Sequence, residues 1–135
     1  MASAAAVNLV REAIDLFLVN QEKVLDVVET IIAKARPLRI TVFGSRARGT
    51  HRPESDLDLA VMLESYEPGH RPPPISRSDL NPWMSIDLLI FNRERHEFMK
   101  DSIISVHHDI ANEGVTLYDA GTGSIDHRAI ARIAG

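Results

Sequence analysis

The sequence predicts a mixed α/β (α+β) domain, a central mixed sheet with helices packed on it. Three observations carry that expectation. Apolar residues recur at steps of three and four between about Ala5 and Ala35. Four short runs suited to strands follow, at residues 38–43, 57–63, 83–91 and 115–118. A second helical pattern, from Asn92 to about Asn112, lies between the third run and the fourth. In a chain of 135 residues that order suits one domain, large enough to bury its own core.

The first helix rests on Val7, Val10, Ile14, Phe17, Leu18, Leu25, Val28, Ile31 and Ile32, read either as one helix or as two broken near Asn20-Gln21. Pro37 ends it, because proline disfavours a helical residue before it and lacks an N–H. Leu38 to Phe43 is β-branched and aromatic, closed by Gly44, with a short helical turn expected at Ser45–Gly49. Leu57 to Leu63 is the second strand, with acids at its entrance. Residues 64–82 hold Pro68, Gly69, Pro72, Pro73, Pro74 and Pro82, and are expected to form a mobile surface loop. Trp83 to Phe91 is the third strand, nearly all apolar around Asp87. The last helix uses Phe98, Ile103, Ile104, Val106 and Ile110, and Gly114 stops it before the final strand. Three regions result: an N-terminal helical segment (1–37) packing on the core, a central core (38–118), and a tail (119–135) expected to fray.

Composition removes several function classes. Hydrophobic residues make up 44% and charged residues 25%, which argues against disorder. No apolar run approaches the roughly 20 residues that span a bilayer, and the N-terminus lacks a signal peptide's basic and apolar regions. With no cysteine there is no disulfide, thiolate metal site or cysteine nucleophile. A cytoplasmic protein is the expectation. The net charge of −4 argues against a protein that grips long nucleic acid through its backbone, yet allows one basic loop that receives an anion.

The chemistry concentrates in Gly44-Ser45, Asp56-x-Asp58 and Asp87. Asp56 and Asp58 are two apart at a strand entrance and so point to one face. Two charges about 4 Å apart near a surface repel by about 4 kcal/mol at an effective dielectric of 20. A divalent cation relieves that repulsion, and oxygen ligands suit Mg²⁺ or Mn²⁺. Asp87 lies in the most apolar strand, where a carboxylate must be paired, metal-bound or protonated. If its strand neighbours the Asp56–Asp58 strand, three acids share a face and a two-metal site becomes feasible. Gly44 lets backbone approach a ligand, Ser45 adds a hydroxyl and an N–H, and Arg46 and Arg48 place guanidiniums beside the loop, suited to phosphate. Each feature alone has an ordinary reading: a solvated Asp-x-Asp turn, a Gly-Ser turn, an ion-paired core acid, a solvated loop arginine. Their joint order is what points to a site.

The stretch Val42-Phe43-Gly44-Ser45-Arg46-Ala47-Arg48-Gly49, with Ser55-Asp56-Leu57-Asp58-Leu59, resembles the minimal nucleotidyltransferases of the DNA polymerase β superfamily. That signature is Gly-Ser, ten residues, then Asp-x-Asp, and residues 46–55 supply the ten. Asp87 and the closing Glu113 to Tyr118 fit as well, so the resemblance covers about residues 38–118. It implies the polymerase β-like fold and transfer of a nucleoside monophosphate, AMP from ATP, with release of pyrophosphate. Gly44 and Ser45 would hold the β- and γ-phosphates, helped by Arg46 and Arg48. Asp56 and Asp58 would ligate Mg²⁺. Asp87 would ligate the catalytic metal and help deprotonate the acceptor hydroxyl.

Larger relatives add a helical domain that completes the acceptor site, and the 17 residues after Tyr118 are too few for one. The resemblance therefore implies support from a partner, in a homo- or hetero-oligomer. It points to a helical HEPN toxin, one of whose tyrosines would be adenylylated, with this chain as a type VII-like antitoxin. Two alternatives stand beside it: transfer to a small hydroxylated molecule such as an aminoglycoside, and a non-enzymatic antitoxin acting by contact. His107-His108 read as surface or core histidines, His51 as solvated rather than facing a triphosphate, and Trp83 as core cover rather than a base platform. The Pro72-Pro73-Pro74 run reads as stiff loop rather than a polyproline ligand.

Overall fold

In the computed structural model, residues 3–67, 69 and 73–135 are described. Helices α1 (Ala4–Phe17) and α2 (Gln21–Ala35) precede strand β1 (Arg39–Phe43) and the single turn α3 (Ser45–Arg48). Strands β2 (Leu57–Leu63) and β3 (Ile86–Asn92) follow, then helices α4 (Arg93–Met99) and α5 (Val106–Glu113). Strands β4 (Val115–Asp119) and β5 (Ser124–Ile125) and helix α6 (His127–Ile133) close the chain.

The five strands run in the order β3-β2-β1-β4-β5. Strand β2 pairs antiparallel with β1 and parallel with β3, and β4 is antiparallel to both β1 and β5. The sheet is therefore mixed with helices packed on it, as the sequence predicts, and the helices cover both faces.

Alternation along the strands sorts residues to two faces. Ile40 and Val42, Leu57, Leu59 and Val61, and Leu117 meet Val24, Val28 and Ile31 of α2 and Ile130 and Ile133 of α6 in the main core. On the opposite face, Ala60, Met62 and Phe91 meet Ile110 of α5, with Phe43 and Leu89 packed against them. Helices α4 and α5 cover only that end of the second face. Its other end, carrying Asp58 and Asp87, is left open.

Of the two readings of the N-terminal pattern, the structure has two helices, because Asn20 caps α2 by accepting from the Lys23 N–H. Three expectations change. Only α2 packs on the core, since α1 buries none of its residues. The last helix is also two, because Ser105 caps α5 by accepting from the His107 N–H. Phe98, Ile103 and Ile104 are consequently exposed rather than buried.

The tail does not fray as expected. Gly123, at φ +68°, makes the turn between β4 and β5, a conformation L side chains rarely adopt. Asp126 then caps α6, whose Ile130 and Ile133 are buried and contribute about 1.5–3 kcal/mol each. The proline-rich stretch is anchored as well. Ile75, Leu80 and Met84 are buried, and Asp79 pairs with Lys34 of α2 at 3.0 Å. Pro68 and Pro72 lie outside the described residues, so the expected loop mobility and the full proline run do too. Strand β3 begins at Ile86, which leaves Trp83 half exposed in a turn rather than covering the core.

Candidate active site

Parallel pairing of β2 with β3 places Asp58 directly opposite Asp87. In-register partners project to the same face, with backbones about 4.8 Å apart. Asp56, two residues before Asp58, points the same way at the mouth of the strand. The three predicted acids thus share the open end of the second face. Asp56 and Asp87 are exposed and Asp58 is half-buried.

Asp58 is the electrostatic centre. Its carboxyl is held above the usual carboxylate range, first by burial and then by the charges of Asp87 and Asp56; Arg48 and Arg46 offset part of this. Loss of solvent and two like charges both disfavour the ionised form. A bound cation would reverse that preference.

Gly44 explains how the loop and Asp58 come together. Phe43, the last residue of β1, pairs with Asp58, and the chain leaves through Gly44 at φ +74°. A Cβ at Gly44 would collide with the Asp58 carboxylate. Only glycine therefore lets the loop pass against that acid. Ser45 begins α3, whose first N–H groups lack acceptors within the helix. His51 Nδ1 is buried with no hydrogen-bond partner among the described residues. A ligand oxygen would satisfy it.

The two arginines separate. Arg46 is 1% exposed, and its guanidinium donates to backbone carbonyls on two segments. One NH group reaches Ile133 O at 2.8 Å, and the others reach Ser55 O at 3.0 and 3.2 Å, Pro53 O at 3.2 Å and Arg52 O at 3.3 Å. It fastens the segment entering Asp56 to the end of α6, and no free donor face remains for the phosphate role expected of it. Burial lowers its pKa, and the charges of Asp56 and Asp58 counter that. Arg48 is exposed and meets Glu113 at 3.5 Å. It is the guanidinium available to a ligand.

Does this donor set fit a divalent ion? The acids are hard oxygen donors on one face, and Asp58 is destabilised by its neighbours, so the chemistry fits Mg²⁺ or Mn²⁺. Among the described residues, however, no three His, Cys, Asp or Glu side chains stand close enough to enclose a metal ion. The acids align without converging, and an ion here would need triphosphate oxygens and water to complete its shell.

Sequence reasoning missed a histidine pair. His96 of α4 and His107 of α5 are buried, their Nδ1 atoms 3.0 Å apart, with Phe91 packed against both rings. Burial lowers both pKa values first; charges add to it, the other ring and Arg95 at His107, while Glu97 opposes it at His96. His108 is half exposed. The pair ties the two helices together.

Among the described residues no helix is long and apolar enough to cross a membrane. The family described as "Polymerase beta, Nucleotidyltransferase" matches residues 26–120. That interval contains the loop, all three acids and strands β1 to β4, and the chain belongs to the polymerase β nucleotidyltransferase family. A solved structure from Sulfolobus solfataricus, described as a candidate nucleotidyltransferase, is similar at a TM-score of 0.50 and 16% identity. The similarity covers 86% of this chain and 91% of that one, and it supports the fold. No curated protein sequence matches.

Proposed function

We propose that this nucleotidyltransferase moves AMP from ATP to a hydroxyl on a helical HEPN-type partner protein, acting as its antitoxin. The observation that carries the chemistry is the in-register pairing of Asp58 with Asp87 beside the Gly44 loop. Support for a macromolecular acceptor is the exposure of Asp56 and Asp87, which lets a hydroxyl approach the acids from outside the domain.

The acceptor oxygen attacks the α-phosphorus, the bond from that phosphorus to the bridging oxygen of the β-phosphate breaks, and pyrophosphate leaves. Asp87, facing the acceptor, takes the hydroxyl proton. The Gly44-Ser45 backbone and Arg48 orient the leaving phosphates and stabilise their growing charge. Asp56, Asp58 and Asp87 would hold Mg²⁺, which when bound supplies charge neutralisation at the phosphates. Asp56 and Asp58 would hold that cation at the mouth of β2, in register with Asp87.

The test compares α-labelled with γ-labelled ATP and Mg²⁺ in native lysate, using wild type and Asp58→Ala. α-Label on one protein band, with wild type only, is the expected result. Label in the small-molecule fraction would replace the protein acceptor with a small hydroxylated one. Protection of cells by an Asp56→Ala/Asp58→Ala variant would leave contact alone as the antitoxin mechanism.

A further inference from the structure

Helix α1 is an amphipathic helix with its apolar side bare. It has a proper start, Ser3 accepting from the Ala6 N–H, and yet buries no residue. Leu9 is 66% exposed, Val10 58%, Phe17 57% and Ile14 52%. At about 100° per residue, its apolar side chains span an arc of roughly 200°, twice the stripe that suffices to lie on a flat surface. A helix with so wide an arc needs a groove.

The same chain carries an unfilled groove. A cavity of about 740 Å³ lies along the second half of β3 and between α4 and α5, with Leu89, Phe91, Met99 and Val106 in its lining. Within two residues of Met99 and Ser105 of that lining, Phe98, Ile103 and Ile104 are 81%, 81% and 93% exposed. Both surfaces lie on the β3 side of the sheet: Phe17 of α1 packs edge-on against Trp83, three residues before β3, at 5.8 Å.

We propose that α1 of one copy docks in this groove of a second copy, and that the exchange is reciprocal about a two-fold axis. Area argues for reciprocity. A helix of 14 residues is about 21 Å long, and a 200° arc of it covers roughly 400 Å². One helix–groove contact then buries about 800 Å² in total, the scale of a weak packing contact, whereas two bury about 1,600 Å², the scale of a stable specific dimer. Charge agrees. Arg11 borders the apolar arc on one side and Glu12 on the other, while the groove carries Glu67 and Arg95. None of these four forms an ion pair among the described residues.

The test reads association, independently of nucleotidyl transfer. Sedimentation of the purified chain should show a dimer. Ile14→Glu on the helix and Ile104→Glu, next in sequence to the groove's Ser105, should each raise its dissociation constant about a hundredfold or more, the scale of a hot spot. Both sites are exposed, so circular dichroism should not change. The chain has no cysteine, so Ile14→Cys mixed with Ile104→Cys should give a crosslinked heterodimer under mild oxidation. A monomer at all concentrations, a dimer indifferent to Ile14→Glu, or Ile14→Cys crosslinking chiefly to itself would overturn the proposal. The last would mean paired α1 helices instead.

Discussion

Replacing Arg46 separates a structural arginine from a phosphate ligand. Arg46→Ala removes a buried guanidinium whose best bonds are those to Ile133 O at 2.8 Å and Ser55 O at 3.0 Å. The remaining donations, at 3.2–3.3 Å, are longer and partly shared. Two charge-assisted bonds at about 1.5–3 kcal/mol each give about 3–6 kcal/mol. Relief of the cost of burying the cation returns part of that, so a net loss of about 3 kcal/mol is expected. For a domain of this size it lowers Tm by about 10 °C. Arg46→Lys should rescue little, because one ammonium cannot reach carbonyls on both the 52–55 segment and α6. Urea and thermal unfolding in the absence of nucleotide measure the effect. A variant within about 0.5 kcal/mol of wild type that loses nucleotide binding would refute this reasoning and return Arg46 to the phosphates.

Asp58→Asn should remove a pH dependence as well as activity. The folded Asp58 carboxyl titrates above its unfolded value near 4. Folded protein then binds more protons than unfolded protein between the two values, and stability falls as pH rises through that window. The Asp58→Asn variant should flatten the fall in metal-free chemical denaturation and reduce transfer by about a thousandfold, the scale of losing a transition-state charge stabiliser. The His96–His107 pair has the opposite sign. Both titrate below their unfolded value near 6.5, so stability present above that pH is lost as pH drops through it toward the folded values. A His96→Leu/His107→Leu variant should lose that acid sensitivity, seen as a flatter Tm between neutral pH and pH 5.

The central strands and the three acids were legible in the sequence because alternation and apolar runs specify a face. In β2 every residue but Asp58 is apolar, so a carboxylate there stands out against both cores. The two arginines could have been told apart. Residues two apart on a helical turn point about 200° away from each other, so Arg46 and Arg48 could not both face one ligand. What the sequence concealed was long-range: that Arg46 reaches a carbonyl 87 residues away, and that the tail returns to fill the core. Apolar periodicity in α1 specifies that a face wants cover, without specifying which surface covers it. Ser105 and Asn20 were readable caps, since each precedes a helical pattern. The break at Asn20 stood as one of two readings, whereas the one at Ser105 was hidden inside a longer periodic stretch.

The most direct test of the site is calorimetric titration of ATP, with Mg²⁺ and then with EDTA, into wild type, Asp58→Asn and Asp87→Asn. Tight binding that requires both the divalent ion and the two carboxylates is the result this account predicts. Binding that is equally strong in EDTA and indifferent to both substitutions would contradict it, because the aligned acids would then hold no metal and no triphosphate.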